Sequence, residues 1–327
     1  MARLDLSTKA VVEQRGIRRQ LGKEFDRFRD AVGKDGCKVL FLSRGINYPV
    51  TVSQKGGKKE FLQLDRPIIE RAKAIVKEEN QKLAEKGVNL PWIDGKKTAV
   101  QRVDFVVRGE RHIAIRVRKM LYSHILAMKD EPFERINNAG MRKLDTNTHV
   151  FANDSKFQVI LIAIRGKRLS NARMGEEVLC APTGENEQLT LTVNGMVDAD
   201  MLSYPAYEII ERNSLKEFGE ELNIHGIGYE AVSLEGIMMD TQLFTGAFGV
   251  VTSVEVPLTL KEINKLRMSA SDSGEISQLY SVENSAFSIA NFLREYRDKC
   301  VPQLISGLVI YGYNRYGEDF LKAVTRL

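Results

Sequence analysis

Apolar positions along the chain change period several times, and each change marks an element. Val12, Ile17, Leu21, Phe25 and Phe28 recur at roughly helical spacing and predict a helix over 11–32. Short apolar runs at 37–43 and 50–53 predict strands. The tract Gln54-Lys55-Gly56-Gly57-Lys58-Lys59 reads as a hairpin turn and lacks the spacing of a phosphate-binding loop. The clearest helix of this half is 67–86, with Pro67 at its start, Gly87 at its end and an apolar stripe of Ile68, Ile69, Ala72, Ile75, Val76 and Leu83. Strands are expected at 100–107 and 112–117, around a turn at 108–111. Asn-Asn-Ala-Gly and Asp-Thr-Asn-Thr then dilute the apolar pattern over 137–147, which predicts a domain boundary.

Beyond that boundary the runs at 148–154 and 159–168 predict strands. Leu189-Thr190-Leu191-Thr192-Val193 alternates as a half-buried strand does, and Asn194-Gly195 reads as the turn that ends it. Ser203 is placed to cap a helix that carries Pro205 in its first turn and runs to about Leu222, with Asn223 as its left-handed exit. A strand at 246–256, a short helix at 258–266, a strand at 277–282 and a helix at 285–298 follow, while the glycines at 307, 312 and 317 leave the last segment unassigned.

Chemistry concentrates on the helix ending at Leu222. Glu217, Glu220 and Glu221 stand at i, i+3 and i+4, so their side chains rise from one face. Such carboxylates repel one another unless solvated or neutralised, and hard oxygen donors suit magnesium or manganese. A solvated acidic face is the other reading of the same residues.

The residues around this stripe resemble the signature of the Nudix hydrolase superfamily: Gly, five residues, Glu, seven residues, Arg-Glu-apolar-any-Glu-Glu-any-Gly-apolar. Glu208, Glu217, Phe218, Glu220, Glu221 and Ile224 agree with it. Three positions depart: Leu202 stands for the first glycine, Lys216 for the arginine and Asn223 for the last glycine. Lys216 cannot bind carboxylates bidentately as an arginine fork does. Gly195 is the natural stand-in for the missing glycine, whose carbonyl faces the metal in the family, although it is equally readable as a simple turn glycine. The resemblance covers about residues 146 to 300.

The resemblance implies an α/β/α sandwich and hydrolysis of a diphosphate linkage in a nucleoside diphosphate derivative, with Mg2+ or Mn2+ as cofactor. It assigns Glu217, Glu220 and Glu221 to the metal, with the Gly195 carbonyl beside them, and either Glu275 or a glutamate of the stripe as general base. Glu208 would orient its neighbours. Arg165 and Arg168, at the end of the run 159–168, would meet substrate phosphates; as plain basic residues after a strand they would face solvent. Glu275 is otherwise an exposed loop residue. The three departures also admit a catalytically relaxed module that senses a ligand or serves in assembly.

Length and composition fit two cores: 327 residues with 43% hydrophobic content allow an N-terminal α/β domain of unknown type over 1–140 and the Nudix-like domain with a C-terminal extension over 146–327. No apolar run is long enough to span a membrane and no signal-like start is seen, so the expectation is a cytoplasmic protein with no membrane partner. Cys37, Cys180 and Cys300 lie far apart and read as buried thiols, and the four histidines have no zinc spacing. Arg108, Arg111, Arg116, Arg118 and Lys119 form one of the most cationic stretches, and arginines on the outer face of a sheet can follow a phosphate backbone. Nucleic acid is therefore a second candidate partner, opposed by a modest net charge of +5 and few interleaved aromatics. A homo-oligomer is compatible with this organisation.

Overall fold

The computed structural model describes residues 2–4, 37–43, 49–54, 61–88, 91–106, 112–128, 142–154, 157–165, 168–171, 176–179, 189–240, 247–272 and 275–325. The expected helix at 11–32 and the turns at 55–59 and 108–111 lie outside these residues. Fourteen strands are described: β1 (Ala2–Leu4), β2 (Cys37–Leu42), β3 (Val50–Gln54), β4 (Lys96–Val106), β5 (His112–Leu121), β6 (Arg142–Asp154), β7 (Phe157–Arg165), β8 (Arg168–Asn171), β9 (Glu176–Leu179), β10 (Leu189–Leu191), β11 (Val193–Met196), β12 (Val232–Asp240), β13 (Phe248–Thr259) and β14 (Ile276–Glu283). The helices are α1 (Arg66–Glu85), α2 (Tyr122–Ala127), α3 (Ile209–Leu222), α4 (Leu260–Arg267), α5 (Ala286–Tyr296), α6 (Pro302–Tyr316) and α7 (Glu318–Thr325).

Twelve strands form one mixed sheet whose main path is β2-β12-β13-β6-β4-β5-β3; β8 and β9 pair separately. The hub is β6. It pairs with β4 at its start, in parallel with β13 along its length, and with β11 and then β7 on the other side. Strands from both halves of the chain thus share backbone hydrogen bonds, because β2 also pairs with β12.

The Asp145-Thr146-Asn147-Thr148 stretch that reads as linker is the middle of β6, and all four residues are buried. This corrects the expectation of irregular chain up to residue 147. Several of its polar groups find partners inside the fold rather than in water. Lys143 Nζ meets Asp145 at 2.8 Å, Asn213 Nδ2 donates to Thr146 Oγ1 at 2.9 Å, and the Thr148 and Thr252 hydroxyls share a hydrogen bond of 2.9 Å.

Alternation along β6 and β7 builds two cores, one on each sheet face, and gives an α/β/α arrangement. Val150, Ala152, Val159, Leu161 and Ala163 pack with Phe218 and Leu222 of α3 and Ile263 of α4. Phe151, Ile160 and Ile162 pack on the other face with α5, α6 and α7 through Ile289, Leu293, Leu308, Phe320 and Leu321. The first half of the chain adds Val50, Val52, Val103, Ile115 and Val117, which pack against Ile209 and Ile210 of α3, while α1 and α2 bury a smaller cluster around Ile68, Ala72, Ala99 and Met120.

Most expected elements form with ends moved by a few residues. Two further expectations are corrected. Ser203 ends a short 3-10 turn (Ala199–Ser203) instead of capping α3, which starts after Glu208. The intervening chain is tied to β3 by Val52 N donating to Ala206 O at 2.8 Å, and it passes through a turn, closed by Glu208 N donating to Pro205 O at 2.9 Å, before the helix begins. Asn194 and Gly195 are not a turn: they lie within β11, opposite Asn147 and Thr146, and the bend falls at Thr192. The segment left unassigned by its glycines is α6, which runs through Gly307 and Gly312 because both sit against bulk, His149 and the Phe320 ring, where a side chain would not fit. Asn223 does take the left-handed exit, with φ of 55°.

Candidate functional site

The acidic helix α3 lies across the strands that the hub β6 organises. Its apolar positions, Ile209, Ile210, Phe218 and Leu222, are buried and fix its rotation. That rotation turns a second stripe, Asn213, Glu217 and Glu221, down onto β11 and β6. Glu221 is 5% exposed and only 12% of the Glu217 side chain reaches solvent, so this stripe is not a solvated acidic face.

Gly195 faces Glu217 directly. A Cβ at this position would overlap the Glu217 carboxylate, so only glycine leaves the space that the carboxylate occupies. One residue earlier, the Asn194 amide donates a long hydrogen bond of 3.4 Å to Glu221 Oε1. The Gly195 carbonyl accepts from Thr146 Oγ1 at 3.4 Å, and Thr146 is held in turn by Asn213. The sequence-predicted residues Gly195, Glu217 and Glu221 are therefore brought together.

Glu220 turns the other way. Its carboxylate receives Lys216 Nζ at 2.8 Å, and the same ammonium reaches Asp198 Oδ2 at 3.0 Å and Glu217 Oε1 at 3.4 Å. Asp198 is also paired with Lys97. Burial opposes the charge on Lys216, but Glu217, Glu220 and Asp198 outweigh it and hold the ammonium above its ordinary pKa. For Glu217 burial wins: despite Lys216 the carboxyl is pushed up to about 8, so it holds a proton at neutral pH. Burial would also raise Asp198, yet Lys97 and Lys216 bring it below the usual carboxylate range.

Glu275 joins from far along the chain. The backbone after α4 folds over the end of α3, with Asp272 N donating to Glu220 O at 2.8 Å and Glu275 N donating to Asp272 O at 2.9 Å. Glu275 and Glu221 then line one small cleft with Thr190, Thr192, Asn194 and Ile276. Glu208 is buried near the start of α3 and binds Arg212 Nε at 2.6 Å, away from the acidic cluster. Arg165 ends β7 opposite Ile276, and Arg168 begins β8 opposite Leu179; their side chains lie outside the described part.

Sequence reasoning missed Asp198, Lys97, Asn213 and Thr146. Asp198 and Lys97 sit about a hundred positions apart, and no local pattern announces that Lys216 joins them. Asn213 carried a weak signal, being four residues before Glu217 and so on the same helical stripe.

The donors present are of the right kind for a hard divalent cation: buried carboxylates and a carbonyl-bearing strand without a side chain at the contact. Among the described residues, however, no group of three or more His, Cys, Asp or Glu side chains stands close enough to share an ion. The Lys216 ammonium occupies the position between Asp198, Glu217 and Glu220. Among the described residues no helix is long and apolar enough to cross a membrane.

No family model matches the chain, and neither does any curated protein. Solved structures resemble part of it. They include a bifunctional NMN adenylyltransferase/ADP ribose pyrophosphatase from Francisella tularensis complexed with AMP and an Mn ion, with 16% identity over 52% of this chain and a TM-score of 0.33. The aligned part spans 40% of the length of that protein. The NUDIX domain of Shewanella oneidensis NrtR, complexed with ADP ribose, aligns at 10% identity over 53% of this chain and 87% of its own, with a TM-score of 0.33. A mutT/nudix family protein from Listeria innocua aligns at 16% identity over 55% of this chain and 97% of its own, again with a TM-score of 0.33.

Proposed function

We propose that the chain hydrolyses a diphosphate linkage in a nucleoside diphosphate derivative with the help of Mg2+ or Mn2+, through a Nudix-like domain formed by the second half of the sequence. The observation that carries this reading is the apposition of Gly195 to the buried Glu217 carboxylate beside Glu221. A buried cluster of hard oxygen donors against a bare strand residue is expensive to maintain without a cation to neutralise it.

In this reading Glu217, Glu220, Glu221 and the Gly195 carbonyl would hold the ion, which when bound would neutralise the diphosphate and make water more acidic. Glu217 would serve as a ligand in its deprotonated form. Glu275, in the cleft it shares with Glu221, accepts the proton of the attacking water. Lys216 supplies the countercharge to Asp198 and Glu220 in the free protein and helps hold Asp198 below the usual carboxylate range. Arg165 and Arg168 are assigned to the substrate phosphates.

The experiment is release of phosphate or nucleoside monophosphate from a panel of nucleoside diphosphate derivatives with Mg2+ or Mn2+, comparing the native chain with Glu220→Gln and Glu221→Gln. Metal-dependent turnover lost in both variants supports the reading. A second reading, a catalytically relaxed module for ligand sensing or assembly, is favoured by one observation: the Lys216 ammonium already occupies the space among three carboxylates. Absence of turnover on every substrate, in folded protein, would support it.

A further inference from the structure

The cationic stretch that the acidic site leaves unused falls on one face of the sheet. Strand register puts Arg102 of β4 directly opposite Arg116 of β5, with Ser53 of β3 next in the same row. Lys143 of β6, Ala99 of β4 and Arg118 of β5 form the neighbouring row. The partners one step along, Val103, Ile115 and Val52, point to the opposite face and are buried against α3. Four cations therefore share the side of the sheet that α1 covers only around Ala99 and Met120.

Two of the four are neutralised. Asp104 binds Arg102 Nε at 2.7 Å, and Asp145 binds Lys143. Among the described residues no carboxylate pairs with Arg116 or Arg118; Arg116 is exposed, and Arg118 Nε is buried without a hydrogen-bond partner. With Arg102 neutralised by Asp104, Arg116 and Arg118 are the two cations of this face that an external anion would meet.

We propose that this face binds the phosphate backbone of a single-stranded nucleic acid. Arg116 and Arg118 are two residues apart on one strand, which sets them about 7 Å apart and lets each meet its own phosphate of an extended chain. The third strand, β3, pairs with no strand but β5 among the described residues, and its outer edge meets Ala206 through the Val52 amide. A regular strand row presents charges in a line, which suits a polyanion. A lone phosphate would instead want donors converging from several directions.

The test is fluorescence anisotropy with a fluorescein-labelled uridine oligonucleotide of about 20 nucleotides, starting near 50 mM salt, with the deoxythymidine oligonucleotide as a parallel arm. The expected result is binding to at least one oligonucleotide that weakens at least tenfold in the Arg116→Ala/Arg118→Ala double variant. The slope of log K against log salt should fall by about 0.7 for each arginine removed. Preference for the uridine arm would assign the 2′-hydroxyl a part, and equal binding would assign recognition to the phosphates alone. Lys261→Ala, which removes one charge on α4, should leave the slope unchanged, and Arg116→Lys/Arg118→Lys should retain it. The proposal is overturned by no binding at low salt, or by a native slope in a double variant with the native far-ultraviolet circular dichroism. Binding confined to phosphatidylserine vesicles would also overturn it.

Discussion

Replacing His149 by leucine isolates a fully buried titratable group in the hub strand. His149 is 0% exposed on β6, and neither ring nitrogen has a hydrogen-bond partner among the described residues. Its neighbours are Leu191, the Tyr311 ring and the main chain of Gly307, against which Nε2 is packed. Burial lowers its pKa from 6.5 to about 4, against an opposing contribution from the Gly307 backbone. The unfolded chain therefore takes up a proton near pH 6.5 that the folded chain refuses until about pH 4. This stability is complete above pH 6.5 and is lost as pH falls toward 4. Two and a half units correspond to about 3 kcal/mol in total, of which about 2 kcal/mol is gone by pH 5. Glu211 and Glu217 act in the opposite direction, being raised to about 7 and about 8 by burial, so the native pH profile alone mixes both signs. The difference between His149→Leu and native protein separates them. Urea unfolding followed by circular dichroism at pH 7.5 and pH 5 should show the variant gaining about 2 kcal/mol relative to native protein at the lower pH. A difference that stays constant between the two pH values would refute the argument.

Glu217→Gln should stabilise the metal-free protein as pH rises: a carboxyl raised from 4.5 to about 8 costs stability progressively between those values, by about 5 kcal/mol in full and about 2 kcal/mol by pH 6, so the melting temperature of the variant should exceed that of native protein by clearly more at pH 9 than at pH 6. Gly195→Ala should push the Glu217 carboxylate out of its place, weakening Mn2+ binding measured by electron paramagnetic resonance at least tenfold while costing about 1–3 kcal/mol in urea unfolding. Lys216→Met should leave Asp198, Glu217 and Glu220 without their shared ammonium and lower stability by about 2 kcal/mol at low salt, with part of the loss recovered when Mg2+ is added; calorimetry with and without the ion checks both parts.

Much of the local structure was legible because period and punctuation act over a few residues. The helix over 67–86 forms as Arg66–Glu85 with Gly87 at a φ of 78°, and Asn223 ends the acidic helix in the left-handed region. Two of the readings that failed share one cause. Asp145-Thr146-Asn147-Thr148 and Asn194-Gly195 have the composition of loops, yet both lie in paired strands because their polar groups are satisfied by residues distant in sequence: Asn213, Thr252 and each other. The glycines of α6 likewise mark close packing against His149 and Phe320 rather than a break in the helix.

For the candidate site, sequence alone determined which side chains share a helical face, since i, i+3 and i+4 spacing is fixed by helix geometry. It therefore grouped Glu217, Glu220 and Glu221. Tertiary structure decided which way each one points: Glu217 and Glu221 go down onto β11, where Gly195 leaves room, and Glu220 goes to Lys216. It also brought in Asp198, Lys97 and Glu275, whose approach depends on strand register and on the loop folded over the end of α3. A helical repeat is encoded within one turn, whereas the burial, countercharge and protonation of these carboxylates depend on contacts between residues far apart along the chain.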